Sequence, residues 1–592
     1  MALNNEQQIA VHRMVLAALG AAAALGLWLL SDHWDDTALA APVFLALFIF
    51  VPVYFGVALA LAGPVSVGRA LAGALALTVP VTALVSLAGL RQVQATDLLD
   101  DPAMLGVAAL LVLFSTPFLL VWLQDRPSVL RYASLFDAAW TMTVRYVAAW
   151  AFVAVFWLVV FLSDSLLKLV DIDAIGQVLG TDWARFGLSG AVLGLGLAVV
   201  DELRDTISPF VFLRLFRLLV PVVLAVVAVF LVAVPVRGLS DLFGDFSAAG
   251  PLMGAAIAAV TLISVALDRS DETAVRTRGL RGATRGLALL LPLLAALAVW
   301  ALVLRVRDYG WTPDRILASL FAMFLLAYGL GYGAACLGRT GWMARVRRVN
   351  VAMALAAIAV LALWMTPVLD VYRLSSASQL ARFQAGQSKL VQLPLWQMGH
   401  DWGRAGKAAL ARLETMTDRA DHAELLARIQ DVRNEVNPFQ FEQAVQARSA
   451  PDRARALLEV MAVRPQGSRM SPGLLAAAPA YRLDQWLTGC RRRLPDGRAG
   501  CVLVQGAFSP SAPAGAQGIV LYLDGDGTAR ADHVVLRMPG EAAVRDVFDP
   551  VANSWPILPG EAVAQALDGE FQIRPSGSNA LFIGGAVLGA AP

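Results

Sequence analysis

Few side chains in this 592-residue chain stand at spacings that support chemistry. The five histidines, His12, His33, His400, His422 and His533, are scattered, and none falls at metal-ligand spacing. No Gly-x-Ser-x-Gly elbow, Walker-type loop or dinucleotide fingerprint precedes a helix. His400-Asp401 beside the last span is an adjacent acid/base pair, and solvated polar residues before a helix account for it better. These absences point away from an enzyme and imply no catalytic residue and no cofactor. Two groups still call for a reading. Cys490 and Cys501 flank Pro495-Asp496-Gly497, strong turn chemistry, so the two thiols face each other across a hairpin. A disulfide closing this loop is favoured over two reduced thiols or half a zinc site, and it needs an oxidising compartment. Asp524-Gly525-Asp526-Gly527-Thr528 with Asp532 is similar to the start of a calcium loop. The positions that would complete an EF-hand are Thr528 and Val535, so a hairpin turn is preferred and the three aspartates stay a weak metal candidate.

The elements that would position these residues follow from composition. Hydrophobic residues make up 58% of the chain and charged residues 16%. With glycine counted, the apolar share is roughly 65%, against about 45–50% in ordinary soluble domains. One or two globular cores do not hide such an excess, so much of it faces lipid. The formal net charge of +2 carries no message for nucleic acid. Windows long enough to cross about 30 Å of hydrocarbon number eleven, from 13–30 to 349–368. The shortest, 187–200, is glycine-rich and reads as a full span or a re-entrant piece. The run Met14–Leu30 is a retained first helix rather than a signal peptide, because Asp32, Asp35 and Asp36 precede the nearest small-residue site.

Orientation follows from Arg and Lys in the short loops. With the N-terminus in the cytoplasm, inside segments hold seventeen basic residues, from Arg13 through Arg204, Arg214 and Arg339 to Arg348, and outside segments hold seven. The outside also carries Asp97, Asp100 and Asp101. An odd number of spans then leaves residues after about 370 outside, which agrees with a disulfide. Small residues at four-residue spacing, Gly190/Gly194 and Gly329/Gly333, let helices approach closely, inside one bundle or at a dimer seam. Pro52, Pro80, Pro117, Pro221 and Pro292 interrupt spans, as in transporters, although proline is common in membrane helices generally. Ile172, Ile175, Leu179, Trp183 and Phe186 suggest an outer interfacial helix, and Val129, Tyr132, Phe136 and Trp140 an inner one.

Beyond the spans the periodicity changes. Residues 400–465 carry helical stripes (Leu410, Leu413, Leu425, Ile429, Val432), and from about 480 the period is two. The segments 501–504, 519–523, 533–536 and 580–583 read as strands of a small antiparallel sheet. The fold class is therefore an α-helical polytopic membrane bundle followed by an extracytoplasmic α+β domain. Its parts are a transmembrane domain over 1–369, an elbow over 370–399, a helical subdomain over 400–465 and a β subdomain over 480–592.

The elbow carries the most specific pattern. The stretch from Leu369-Asp370-Val371-Tyr372-Arg373-Leu374-Ser375 to Gln379-Leu380-Ala381-Arg382-Phe383 closely resembles the bacterial family known as domain of unknown function 4153 (DUF4153). In that family a multi-spanning region ends in Asp-x-Tyr-Arg-Leu-Ser and continues into a Ser-Gln-hydrophobic-Ala-Arg helix. The glycine-rich sixth window ending in Asp201-Glu202-Leu203-Arg204 is similar too. The resemblance covers the first two thirds of the chain and implies an inner-membrane protein; it brings no catalytic residues. Physically, Tyr372 and Arg373 suit a membrane interface, and Ser375 or Ser376 can cap the helix that holds Gln379 and Arg382. Two functions follow as expectations. One is a bundle anchoring an outer domain that interacts with an envelope partner, in assembly or sensing. The other is a transporter or permease using the proline-broken helices. The bilayer is the partner that composition itself implies.

Overall fold

The computed structural model describes residues 5–32, 39–202, 215–237, 249–338, 340–468, 473–509, 512–538, 541–549, 556, 558–576, 578–583 and 586–590. Asp35, Asp36, Leu203, Arg204, Arg214 and Arg339 lie outside these residues. The chain divides into two compact units, Met1–Asp418 and Arg419–Pro592. Each is described by itself.

Among the described residues of the first unit, eleven helices are long and apolar enough to cross a membrane. They are α1 (Asn5–Asp32), α2 (Ala41–Leu61), α3 (Val67–Gly89), α4 (Pro102–Gln124), α5 (Tyr132–Lys168) and α6 (Asp182–Glu202). Then follow α7 (Val220–Arg237), α8 (Ala249–Leu267), α9 (Arg278–Tyr309), α10 (Pro313–Leu337) and α11 (Trp342–Trp364). The weak window 187–200 belongs to α6, whose 21 residues suffice to span. Two expected surface helices are absent as such. Trp183 and Phe186 open α6, and only the short helix Ala174–Leu179 precedes it. Tyr132, Phe136 and Trp140 form the first half of α5, which runs 37 residues without a breaker. At 1.5 Å per residue α5 is about 55 Å long, nearly twice the hydrocarbon thickness.

The bundle has two lobes, each with its own apolar core. One gathers α1 to α6 around Leu16, Leu61, Ala74, Leu120, Ala149 and Leu197. The other gathers α7 to α11 around Ala256, Ile263, Leu291, Ala298, Leu325 and Tyr332. Glycines set the closest approaches, both inside one chain. A Cβ on Gly190 would stand 2.1 Å from the Gly20 carbonyl oxygen, and one on Gly194 would stand 2.0 Å from that of Leu16. So α6 lies backbone to backbone on α1. Gly329 sits against the Pro292 ring backbone, where a Cβ would come within 2.8 Å of Cα, and Gly333 faces the Pro292 Cγ. Pro52, Pro80, Pro117 and Pro292 lie inside helices that continue through them. Pro221 instead stands at the second residue of α7, where proline costs little.

After α11 come α12 (Val371–Gln384), α13 (Leu395–His400) and α14 (Gly403–Glu414), all in the first unit. The unit boundary at Asp418 thus falls inside the expected helical subdomain 400–465. The second unit holds α15 (His422–Asn434), α16 (Pro438–Val460), α17 (Ala480–Arg491) and α18 (Glu561–Asp568). Its strands are β1 (Ala462–Arg464), β2 (Cys501–Gln505), β3 (Gln517–Leu523), β4 (Thr528–Met538), β5 (Glu541–Phe548), β6 (Leu558–Pro559), β7 (Gln572–Ser576), β8 (Ser578–Ile583) and β9 (Ala586–Ala590). They pair in the order β1-β2-β3-β4-β5-β9-β8-β7, with β6 on β4. The sheet is antiparallel except for β1 beside β2. Alternation along β2 and β3 feeds two cores. Cys501, Leu503 and Val520 meet α16 and α17, while Val502, Val504 and Ile519 meet α18.

His533 on β4 is 2% exposed, its Nε2 3.2 Å from Gln517 Oε1. Burial pushes its pKa down to about 4. The unfolded imidazole titrates near 6.5, so between these values the unfolded chain binds more protons and stability rises with pH. The contribution is complete above about pH 6.5 and lost as pH falls toward 4, at most about 3 kcal/mol. Denaturant titrations of the full chain, followed through the second unit, should show this slope for the wild type and a flatter one for His533→Asn. Equal slopes would contradict the assignment.

Candidate functional site

The two lobes do not close on each other along their whole length. At their seam lies a crevice of about 880 Å³, walled by α2, α4 and α5 on one side and reached by α8, α10 and α11 from the other. Pro52, Gly56, Ala109 and Pro117 lie along its walls. Leu113 and Val147 also line it and are 62% and 65% exposed, so it opens on the surface that faces lipid. The volume matches a ligand pocket.

Among the described residues, the one hydrogen-bonded polar cluster of the lining gathers at the start of α5. Asn350 on α11 accepts a 2.5 Å hydrogen bond at Oδ1 from the Tyr332 hydroxyl and donates from Nδ2 to Ser264 Oγ at 3.2 Å. The same Nδ2 reaches the Tyr132 hydroxyl at 3.4 Å. Four side chains from four helices therefore join α5, α8, α10 and α11. Tyr132, Ser264 and Asn350 line the crevice, and the Tyr146 hydroxyl donates to the Gly56 carbonyl on its wall at 2.7 Å. In hydrocarbon such groups must find partners in one another. The set holds hydroxyls and an amide without a general base, so it suits binding better than proton transfer. No group of three or more His, Cys, Asp or Glu able to hold a metal occurs among the described residues.

Paired charges frame this end. Arg145, 2% exposed, donates to Asp201 at 2.6 Å and to the Ala60 and Ala62 carbonyls at 2.9 and 2.8 Å. Gly63 beside it has φ of +110°, and a Cβ there would strike Asp201 Oδ2. Arg217 pairs with Asp268 and donates to the Val265 and Thr273 carbonyls. Arg13 holds Glu202.

The elbow residues form a cap on the opposite end. Asp370, rather than Ser375 or Ser376, caps α12, accepting from the Arg373 amide at 3.0 Å. Both serines are interior helix positions and buried. Tyr372 is buried inside the protein: it is 3% exposed, and its hydroxyl donates to Asp101, which caps α4. Burial, with the Asp101 carboxylate beside it, pushes the Tyr372 phenol up. Gln379 donates to the Tyr309 and Trp311 carbonyls at 3.0 and 2.9 Å, and Arg382 to those of Arg307 and Asp308 at 2.9 and 2.8 Å. Arg373 alone of these residues points to the exterior. The elbow is a lock on the ends of α4 and α9.

In the second unit, Cys490 and Cys501 form a disulfide with Cα atoms 4.6 Å apart, joining α17 to β2. Asp524 to Thr528 make the β3–β4 turn, with Gly527 at φ +82°. Asp524 takes a hydrogen bond from Arg530, and Asp526 one from Thr528. Asp532 lies away from them, 2% exposed, accepting from Trp486 Nε1 at 2.8 Å and from Arg482 at 3.2 Å. The three aspartates therefore do not converge, because Asp532 faces α17 from the interior of β4. His400 stacks on Trp396 with ring centres 3.9 Å apart, and its Nδ1 is 3.3 Å from the Trp396 carbonyl oxygen.

Sequence reasoning missed Gly20 and the Tyr132–Ser264–Tyr332–Asn350 group. Each is a single residue on its own helix, so no spacing announces it. Comparison with protein-family models, with curated proteins and with solved structures finds no match.

Proposed function

We propose that this chain is a non-enzymatic bacterial inner-membrane protein, of the kind that resembles the DUF4153 family, whose bundle holds a bilayer lipid at the seam between its lobes. The bundle anchors the α+β unit, which acts in the periplasm on an envelope partner. The crevice carries this reading. Its walls are mostly apolar, it opens toward lipid, and its main polar cluster, Tyr132, Ser264 and Asn350, lies at the start of α5, which fits an acyl chain with a polar terminus. A path for a hydrophilic solute would need polar lining along its length. A lipid permease is the second reading, favoured by Pro52 and Pro117 on the crevice walls. The basic bias of alternate loops and the disulfide both support a cytoplasmic N-terminus and a periplasmic second unit.

Ala109→Trp narrows the crevice from α4, whereas a side chain at Gly106 of the same helix meets nothing within 4 Å. Native mass spectrometry of the purified full chain should find co-purified lipid on the wild type and on Gly106→Leu. Occupancy of Ala109→Trp should be about tenfold lower, a change of roughly 1.4 kcal/mol. Equal occupancy in all three would reject a lipid in the crevice. Alkaline-phosphatase fusions test orientation: the account expects no activity after Gly279 and high activity after Arg404, and the reverse pattern would overturn it.

A further inference from the structure

A second cavity of about 500 Å³ adjoins the crevice, between the start of α5 and the first half of α11. Tyr132 and Val351 line both spaces, so the two adjoin at the start of α5. Leu130, Ala352 and Leu355 give the second cavity apolar sides, and Arg347 and Arg348 give it charge. The two arginines differ in what they already hold. Arg347 is 7% exposed, donates to Asp271 at 2.6 Å and to the Asp268 carbonyl at 3.1 Å, and also reaches the Leu267 carbonyl. Its charge is matched by Asp271, and Asp268 is matched by Arg217. Arg348 is exposed and makes no hydrogen bond or ion pair among the described residues.

The result is one uncompensated guanidinium at the end of an apolar trough, at the seventh residue of the spanning helix α11. Arginine at such a depth extends its charged head to the headgroup layer while its stem covers apolar surface. Its planar fork matches phosphate oxygens. We propose that crevice and cavity form a single site for an anionic phospholipid, with an acyl chain between α2, α4 and α5, the Tyr132 hydroxyl near the glycerol region, and the headgroup on Arg348. This rests on the crevice holding a lipid and adds which lipid. A free phosphate has the same affinity for guanidinium but no use for the apolar walls, so the two sources separate by experiment.

The full chain is exchanged in detergent against an equimolar mixture of phosphatidylglycerol and phosphatidylethanolamine, and bound lipid is read by native mass spectrometry. The wild type should retain phosphatidylglycerol with about fivefold preference, the order expected for one basic residue at the membrane surface. Arg348→Gln should retain as much lipid in total with the preference gone, and Arg348→Lys should restore part of it. Excess inorganic phosphate should displace nothing. An unchanged preference in Arg348→Gln, or displacement by phosphate, overturns the headgroup assignment alone. No retained lipid of either class on the wild type overturns the crevice reading together with it.

Discussion

The requirement that a helix end within a membrane protein find partners for its last carbonyls governs this bundle. No intrahelical donor reaches those oxygens, and near hydrocarbon an unmet carbonyl is costly. Arginine meets the need at end after end. Arg145 serves α2, Arg404 serves the exit of α3, and Arg217 and Arg347 serve α8. Arg382 and Arg315 serve α9, Arg285 and Arg345 serve α10, and Arg91 serves the exit of α11. A guanidinium offers five donors in a fixed plane, enough to bridge two carbonyls and a carboxylate at once. The ammonium of lysine lacks that fork, and only three of the 47 basic residues are lysines. Such charge-assisted bonds contribute about 1.5–3 kcal/mol each.

Fixing the ends leaves the seam as the place where packing is incomplete. Each lobe closes around its own core, helped by the backbone contact of Gly190 with Gly20 and of Gly329 with Pro292. Between lobes α11 packs on α4, the first half of α5 lies against Val265 of α8, Asn350 gathers hydroxyls from three helices, and Arg91 reaches the Trp364 carbonyl at the far end of α11. Among these contacts a largely apolar crevice remains. Binding there follows from architecture, since the neighbouring solvent for such a space is lipid.

Much of the bundle was legible in sequence because a span is a long, self-contained signal. The number of spans, the weak sixth helix and the glycine pairs followed from local composition, as did the strand runs near 501, 519 and 533. The failures share a cause. Residue type suggests that Tyr372 faces outward, but it is buried against Asp101, far away in sequence. The stripe Tyr132–Phe136–Trp140 looked like a surface helix because nothing local says that it continues into α5. Arginine counts gave a sidedness signal, while the role of individual arginines as carbonyl donors requires the partner helix. The crevice has no sequence signal, since it consists of contacts that are not made.

A cryo-EM structure of the full chain in nanodiscs of phosphatidylglycerol and phosphatidylethanolamine tests the central claim most directly. The account predicts elongated non-protein density between α2, α4 and α5, continuous past Tyr132 to a headgroup feature at Arg348. A seam filled by side chains along its whole length, leaving no such density, would contradict it.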